Sequence, residues 1–114
     1  MIARKYHLPI QEFIGRKPIF SHKSEFFIIK IGRNGLPHGR FGVVISKRTA
    51  PKAVTRNRFR RIIFDFVRNF QKHQKPGLDF MISVLPKAIS LNKKEFEDNL
   101  SKAFQEIEPK LQSR

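Results

Sequence analysis

Residues 45–70, ISKRTAPKAVTRNRFRRIIFDFVRNF, decide how the rest of this 114-residue chain is arranged. The segment carries eight basic residues against a single acid, Asp65. From Val54 onwards its large apolar residues recur at spacings of three and four, which places them within about one third of the circumference of a helix. The segment therefore predicts an amphipathic helix whose buried stripe consists of Phe59, Ile62, Ile63, Phe66 and Phe70.

The basic residues of this helix are packed more densely than a solvated helix face requires. Arg56, Arg58, Arg60 and Arg61 lie within six residues, and no acid follows before Asp65. Solvent-exposed helices usually relieve such repulsion with acids placed one turn away. Crowded like charge destabilises a helix unless an anion binds to it. We therefore interpret the face opposite the apolar stripe as a binding platform for a polyanion.

The net charge of the chain is +15, and its distribution supports the same interpretation. Residues 1–75 contain 18 Lys and Arg against 3 Asp and Glu, whereas residues 76–114 contain 6 of each kind. The positive excess therefore lies entirely in the earlier part of the chain, as suits binding to a phosphate backbone. An anionic membrane surface is the competing target. We rank it lower because the apolar stripe of the basic helix is needed for a protein core.

Several classes of chemistry have no support in the sequence. The chain contains no Cys, which excludes disulfides, a Cys-based zinc site and a thiol nucleophile, and fits a cytoplasmic location. Its four His are scattered, and Asp65 and Asp79 belong to no metal-binding motif. Glycine-rich phosphate loops and nucleophile elbows are absent. We therefore expect no catalytic residue, no metal ligand and no tightly bound cofactor in this chain.

Three segments have the β-branched and aromatic composition of strands: residues 26–31, 41–46 and 79–85. The turn-rich loop at 32–40 joins the first two, which we expect to form an antiparallel pair. A further short strand is expected near Ile19 and Phe20.

Two more helices are predicted at the ends of the chain. A short one begins near Pro9, and a longer one begins at Asn92, which forms an Asn version of the capping box with Glu95. We expect Pro109 to end the last helix. The order of elements predicts a small single-domain α+β sandwich, α-β(β)β-α-β-α, with helices packed on one sheet.

The basic segment also resembles a known motif. Its runs SKR at 46–48, KAV at 52–54 and RNRFRR at 56–61 are similar to the RNR signature of the bacterial ribonuclease P protein family. The strand RFGVVIS at 40–46 is similar to the family's strand that enters this motif, and the resemblance covers about residues 26–108. One position departs from the pattern, because the family usually has a basic residue where this chain has Phe64.

The resemblance implies both an architecture and a function. It implies two parallel strands that flank the RNR helix through a left-handed crossover, whereas general rules favour a right-handed one. It implies a protein that assembles with a large catalytic RNA to cleave precursor tRNA and produce the mature 5′ end. The RNA, with bound Mg²⁺, performs the hydrolysis. The protein contacts the RNA and holds the single-stranded 5′ leader between the sheet and the N-terminal helix, with no membrane or small-molecule partner.

We accordingly expect one RNA-binding domain over residues 1–114, with flexible ends at about residues 1–5 and 110–114. The RNA-binding candidates carry cationic groups or an amide suited to phosphate and sugar oxygens: Lys47, Arg48, Lys52, Arg56, Asn57, Arg58, Arg60, Arg61 and Arg68. The leader-binding candidates combine aromatic stacking with a cation: Phe13, Phe20, Phe27 and Lys30. Each of these Phe residues is individually more typical of a core than of an RNA surface.

Phe64 lies by helical angle towards the arginine face of the basic helix, outside the apolar stripe. An exposed Phe at this position has two interpretations, packing on a flank of the core or stacking on an RNA base, and we favour the first. Two other functions stay open at this point. One is a basic ribosomal or other structural RNA-binding protein with no role in cleavage, and the other is a nuclease that acts without an RNA partner.

Overall fold

The computed structural model of the chain describes residues 6–70 and 77–112. It has four strands and three α-helices in the predicted order, with the short strand near Phe20 included, so the α+β fold class is confirmed. A 3-10 helix at Pro86–Ser90 links the last strand to the last helix. The elements are α1 (Ile10–Phe13), β1 (Phe20–Lys23), β2 (Phe27–Arg33), β3 (Arg40–Val44), α2 (Ala53–Phe70), β4 (Leu78–Val84) and α3 (Lys93–Gln112).

The four strands form one sheet in the order β1-β2-β4-β3. β2 pairs antiparallel with both β1 and β4, and β3 pairs parallel with β4. The expected antiparallel pairing of β2 with β3 is wrong, because β4 lies between them. β4 takes this central place because residues on both of its faces are buried, including Leu78, Asp79 and Phe80. The parallel strands on either side of α2 are as the resemblance implied; the left-handed crossover stays a prediction.

α2 and α3 cover one face of the sheet and enclose the core. The Phe96 ring of α3 lies 5.2 Å from the Phe27 ring of β2 and 4.9 Å from the Phe59 ring of α2. Phe80 of β4 packs against Phe104 of α3 at 5.9 Å. Truncating such a buried ring to Ala typically costs about 3–5 kcal/mol. The basic helix is therefore fixed to the sheet by aromatic packing on its apolar side.

α1 covers part of the opposite face, and two glycines allow it to approach. A Cβ at Gly42 of β3 would lie 2.6 Å from the Ile10 side chain, and one at Gly32 of β2 would lie 3.0 Å from the Phe13 ring. The segment before α1 runs along the outer edge of β3, where the Leu8 amide donates to the Phe41 carbonyl at 2.8 Å. The N-terminal segment thus passes from the helix side of the sheet to the other side around this edge.

α3 begins as predicted and ends later than predicted. The Glu95 amide donates to Asn92 Oδ1 at 2.8 Å and the Asn92 amide donates to Glu95 Oε1 at 3.0 Å, which completes the capping box. Pro109 does not end the helix, which continues to Gln112. Pro109 has no backbone N–H to donate to the helix. The loss of this one hydrogen bond near the helix end is tolerated because burial of Leu111, at 9% exposure, holds the last turn in place. Residues 110–112 are thus helical, and the expected flexibility of this end stays a prediction, while residues 1–5 and 113–114 lie outside the described residues.

The buried side of α2 is wider than the predicted stripe. Phe59, Ile62 and Ile63 are buried as expected, and Val67 is fully buried beside them. Phe66 is half-buried, and the side chain of Phe70 lies outside the described residues. Phe64 is only 8% exposed, so the expected exposure is wrong, whereas the favoured packing on a flank of the core is confirmed. Its ring lies 4.9 Å from the His7 ring, because the N-terminal segment covers this flank of the helix.

Candidate RNA interface

One face of α2 carries the cations that the apolar packing leaves in solvent. Asn57, Arg58, Arg61 and Arg68 are all exposed. Arg68 forms an exposed ion pair with Asp65, three residues earlier, at 3.6 Å. The first turn of α2 contains no acid to offset the positive end of the helix dipole, which lies near Arg58, whereas Arg68 lies in the last turn. Such a surface attracts anions.

The turn between β3 and α2 extends this surface. The Thr49 amide and hydroxyl both lie 3.1 Å from Ser46 Oγ, and the Ala50 amide donates to the Ser46 carbonyl at 3.0 Å. Ala50 is buried at 1% exposure, which anchors the turn to the core. The cations of this turn are consequently held outwards in one ordered segment; they are Lys47, Arg48 and Lys52, all exposed.

Arg56 and Arg60 are half-buried and differ from the other candidates. Arg56 Nη1 donates to the Ala50 carbonyl at 2.7 Å and to the Pro51 carbonyl at 2.9 Å. Arg60 Nη1 donates to Asn57 Oδ1 at 3.3 Å. Arg56 therefore braces the turn that carries the other cations, a role that helical spacing did not reveal. We call the whole surface the basic face: Lys47, Arg48, Lys52, Arg56, Asn57, Arg58, Arg60, Arg61 and Arg68.

A second candidate surface lies on the side of the sheet away from α2 and α3. Strand alternation and the register of the pairs place the side chain of Lys30 on this side, between Ser21 of β1 and Met81 of β4. Within the described residues, α1 covers this side only at the end that contains Gly32 and Gly42. We call the remainder the open sheet face; it consists of Ser21, Lys23, Ile28, Lys30, Val44, Met81 and Ser83.

The three aromatic leader-binding candidates do not lie on this face. Phe27 is fully buried under α3, and Phe20 is half-buried on the same side of the sheet, beneath Lys110 at 5.0 Å. Phe13 is 3% exposed because α1 presses it onto Gly32. Phe13 and Phe27 have no exposed ring face for stacking on a base, so their assignment is corrected, and Phe20 lies on the opposite side of the sheet from Lys30. Of this group, only Lys30 lies on the open sheet face.

A buried carboxylate holds α1, the loop at 34–38 and the end of the sheet together. Asp79 Oδ2 accepts from Arg16 Nη2 at 2.7 Å and from Arg40 Nη2 at 3.0 Å. Asp79 Oδ1 accepts from Arg40 Nε and Asn34 Nδ2, each at 2.9 Å. Burial alone would raise the pKa of Asp79, but the hydrogen bonds from Arg40, Asn34 and Arg16 outweigh it, and its pKa lies below the ordinary value. The hydrogen bonding between Arg40 and Asp79 also raises the pKa of Arg40.

The comparisons with known proteins agree with this geometry. The family model described as Ribonuclease P matches residues 13–108, which include both candidate surfaces. The chain belongs to the ribonuclease P protein family. Its role in that family is that of a protein component of ribonuclease P, the ribonucleoprotein that matures the 5′ end of tRNA.

Individual relatives in the ribonuclease P family are moderately similar in sequence. The ribonuclease P protein component of Synechocystis sp. is 34% identical over 84 residues, which cover 73% of this chain and 68% of that protein. The ribonuclease P protein component of Coxiella burnetii is 30% identical over 105 residues, covering 92% of this chain and 78% of that protein.

Solved ribonuclease P proteins share the fold. A Staphylococcus aureus RNase P protein mutant with defective mRNA degradation activity superposes with a TM-score of 0.81 at 19% identity, over 92% of this chain and 90% of that one. The RNase P protein from Thermotoga maritima gives a TM-score of 0.72 at 19% identity, over 84% and 92% of the two chains. Identities this low show the fold alone.

For this member of the ribonuclease P family, sequence reasoning missed the partners of Asp79. Arg16 and Arg40 were not singled out, although Asp79 was considered and set aside as a metal ligand. The available signal was an acid at the start of a strand with otherwise apolar neighbours, since a buried carboxylate requires cationic or hydrogen-bonding partners.

Among the described residues, no helix has the length and apolar character needed to cross a membrane.

Proposed function

We propose that the chain assembles with the catalytic RNA of ribonuclease P through the basic face. The observation that carries this proposal is the concentration of charge: residues 1–75 hold the whole excess of +15, and the first turn of α2 contains no acid. Membership of the family supports an RNA as the partner of this surface. The resemblance at 46–61 supports the choice of the catalytic RNA over a ribosomal RNA.

The side chains of the basic face suit a phosphate backbone. The planar guanidinium groups of Arg58, Arg61 and Arg68 each present several donors that match the geometry of phosphate oxygens. Arg56 acts differently, because its donors are engaged by the Ala50 and Pro51 carbonyls. It orients the turn so that the cations before α2 meet the RNA together with those on the helix.

We further propose that the 5′ leader of precursor tRNA lies on the open sheet face. Lys30 supplies a cation for a backbone phosphate, and the half-buried Ile28, Val44 and Met81 supply apolar contact for unstacked bases. α1 forms a wall at one end, held by the bonds from Arg16 and Arg40 to Asp79. In this arrangement apolar side chains, rather than Phe rings, contact the leader.

Hydrolysis itself is assigned to the RNA. Among the described residues, no three His, Cys, Asp or Glu side chains lie together as a metal site would require. Asp79, the buried acid, is already engaged by two arginines. We propose that Mg²⁺ is held by the RNA at the reaction centre and at the protein interface. We propose that this activity takes place in the cytoplasm.

A cleavage assay tests the proposal. Precursor tRNA and Mg²⁺ are incubated with the protein alone, with the catalytic RNA alone and with both at low Mg²⁺. We expect cleavage at the mature 5′ end only when the catalytic RNA is present, and faster cleavage with both. Cleavage by the protein alone would support the independent nuclease, and no effect of the protein on the RNA-catalysed rate would favour a purely structural RNA-binding protein.

Binding measurements separate the two surfaces. Affinity for the catalytic RNA should fall with salt with a log–log slope of about −4 to −7, as expected for six to ten phosphate contacts. Lys30→Ala should weaken binding of precursor tRNA by the holoenzyme and leave binding of leaderless tRNA unchanged. Lys102→Ala, an exposed cation on α3, is the control and should change neither. If Lys30→Ala weakens binding of both tRNAs equally, the leader does not bind to the open sheet face.

A further inference from the structure

An open cavity lies between the basic face and the first turn of α3. Its volume is about 360 Å³, and it is lined by Arg58, Arg61, Ile62 and Asp65 of α2 and by Lys93 of α3. Three of the five lining residues are cations, and they come from elements separated by the whole of β4. Ile62, at 7% exposure, forms an apolar floor. The fold thus adds Lys93 to arginines that are remote from it in sequence.

Among the residues that the structure describes, the three cations of this cavity share it with one acid. Asp65 is their acidic neighbour, and it forms an ion pair with Arg68 at 3.6 Å. The guanidinium group of Arg58 lies 5.5 Å from the centre of the Phe59 ring. The ring carries no net charge, so this contact does not neutralise the arginine. Arg61 and Lys93 form no ion pair or hydrogen bond with any residue in the described part of the chain. Three cations held around one cavity repel one another unless an anion enters.

The shape and chemistry of the cavity favour a backbone phosphate over a nucleobase. Three of its four polar side chains are cations that donate and do not accept, and the fourth, Asp65, already forms an ion pair with Arg68, whereas recognition of a base edge also requires acceptors. At the start of α3 the Glu95 amide already donates to Asn92 Oδ1 and the Phe96 amide donates to the Asn92 carbonyl. We therefore attribute the site to its side chains. A phosphodiester fills only part of a cavity of this volume, which leaves room for the adjoining ribose.

We propose that Lys93, together with Arg58 and Arg61, binds one backbone phosphate of the catalytic RNA, so that the RNA footprint extends from α2 onto α3. The proposal rests on the assembly with catalytic RNA proposed above. It assigns a role in RNA binding to α3, whose other exposed residues mix acids with bases. It also makes Lys93, in the electrically neutral part of the sequence, a member of the same surface as the arginines of α2.

The test compares Lys93→Ala with Lys94→Ala. Lys94 has the same charge, is exposed in the same turn of α3 and does not line the cavity, so it is a matched control. Dissociation constants for the catalytic RNA are measured over a range of salt. We expect Lys93→Ala to weaken binding about fivefold and to reduce the log–log slope by about 0.7, the effect of one lost phosphate contact. Lys94→Ala should change neither quantity measurably, and Lys93→Arg should retain wild-type binding.

A double-mutant cycle tests whether the cations share one phosphate. The combined loss in Lys93→Ala/Arg61→Ala should be smaller than the product of the single losses, because the first substitution already disrupts the contact. Multiplicative losses, or equal effects of the Lys93 and Lys94 substitutions, would overturn the proposal while leaving RNA assembly intact. If the affinity of the wild-type protein for the RNA is independent of salt, the proposed assembly with the catalytic RNA is itself overturned.

Discussion

Arg40 donates to Asp79 through two hydrogen bonds, from Nε to Oδ1 at 2.9 Å and from Nη2 to Oδ2 at 3.0 Å. The carboxylate is fully buried and the arginine side chain is 13% exposed. The pair joins the starts of the two parallel strands, whose register sets Arg40 opposite Asp79. Arg16 reaches the same carboxylate from the segment after α1. This pairing therefore fixes the position of α1 over the sheet, on which the proposed leader surface depends.

Asp79→Asn should destabilise the protein by about 3–5 kcal/mol at neutral pH. Replacing one partner of a buried ion pair leaves the other charge uncompensated, and here that charge is Arg40. The free energy of unfolding, measured by urea denaturation, checks the magnitude. Asp98→Asn is the control, because Asp98 is an exposed acid of α3, and it should change stability little.

The effect of Asp79→Asn should depend on pH. Because the pKa of Asp79 is lower in the folded protein than in the unfolded chain, the unfolded chain takes up the proton first as the pH falls. The stabilisation is complete above the unfolded pKa of about 4, and it is lost as the pH falls through the folded pKa. The difference in stability between wild type and Asp79→Asn should therefore shrink below about pH 4. A constant difference down to pH 2 would contradict the assigned direction.

Local signals in the sequence were sufficient for the elements of this fold. Asn92 and Glu95 marked the start of α3 because the capping box is made by residues three apart. The stripe Phe59, Ile62 and Ile63 identified the core side of α2 because helical periodicity is local as well. These signals require no knowledge of what lies across the core.

Long-range pairing could not be obtained in the same way. The neighbours of β2 depend on where β4 inserts into the sheet, and no local sequence pattern indicates that position. In β2 the apolar residues Phe27 and Ile28 lie on opposite sides of the sheet, so composition could not say which side faces the helices. Phe27 was therefore assigned to RNA although it lies in the core, at 0% exposure. The placement of Lys93 and the arginines of α2 around one cavity was hidden for the same reason.

The two sides of α2 should separate RNA binding from stability. Arg61→Ala removes an exposed cation and should weaken binding to the catalytic RNA roughly tenfold, since a charge-assisted hydrogen bond contributes about 1.5 kcal/mol or more. Its melting temperature should not fall, because repulsion on the helix is relieved. Ile63 is 0% exposed, so Ile63→Ala leaves a cavity in the core and should lower the free energy of unfolding by about 2–5 kcal/mol. The affinity of this variant for RNA should be preserved well below its melting temperature. The opposite pattern would mean that the two sides of α2 are reversed.

Arg56→Ala should affect both properties. The substitution removes two hydrogen bonds to the Ala50 and Pro51 carbonyls, which should lower stability by about 1.5–3 kcal/mol. It should also increase amide hydrogen exchange across residues 47–52 and weaken RNA binding, because the turn that carries Lys47, Arg48 and Lys52 loses its brace. Arg61→Ala is the comparison, with affinity reduced and exchange unchanged. If the two variants behave alike, Arg56 is only a further phosphate contact.

Phe64→Arg restores the charge that the family usually has at this position, and it should destabilise this protein. Phe64 is 8% exposed and packs on His7, so the substitution loses a buried ring and places a guanidinium against the core, at a cost of about 3 kcal/mol or more. Val54→Arg is the matched control: it adds the same charge to the same helix at a residue that is 68% exposed. Urea denaturation should show near-wild-type stability for Val54→Arg and a large loss for Phe64→Arg. Equal stability of the two variants would mean that the N-terminal segment does not cover this flank of α2, and that the added arginine lies in solvent on the basic face.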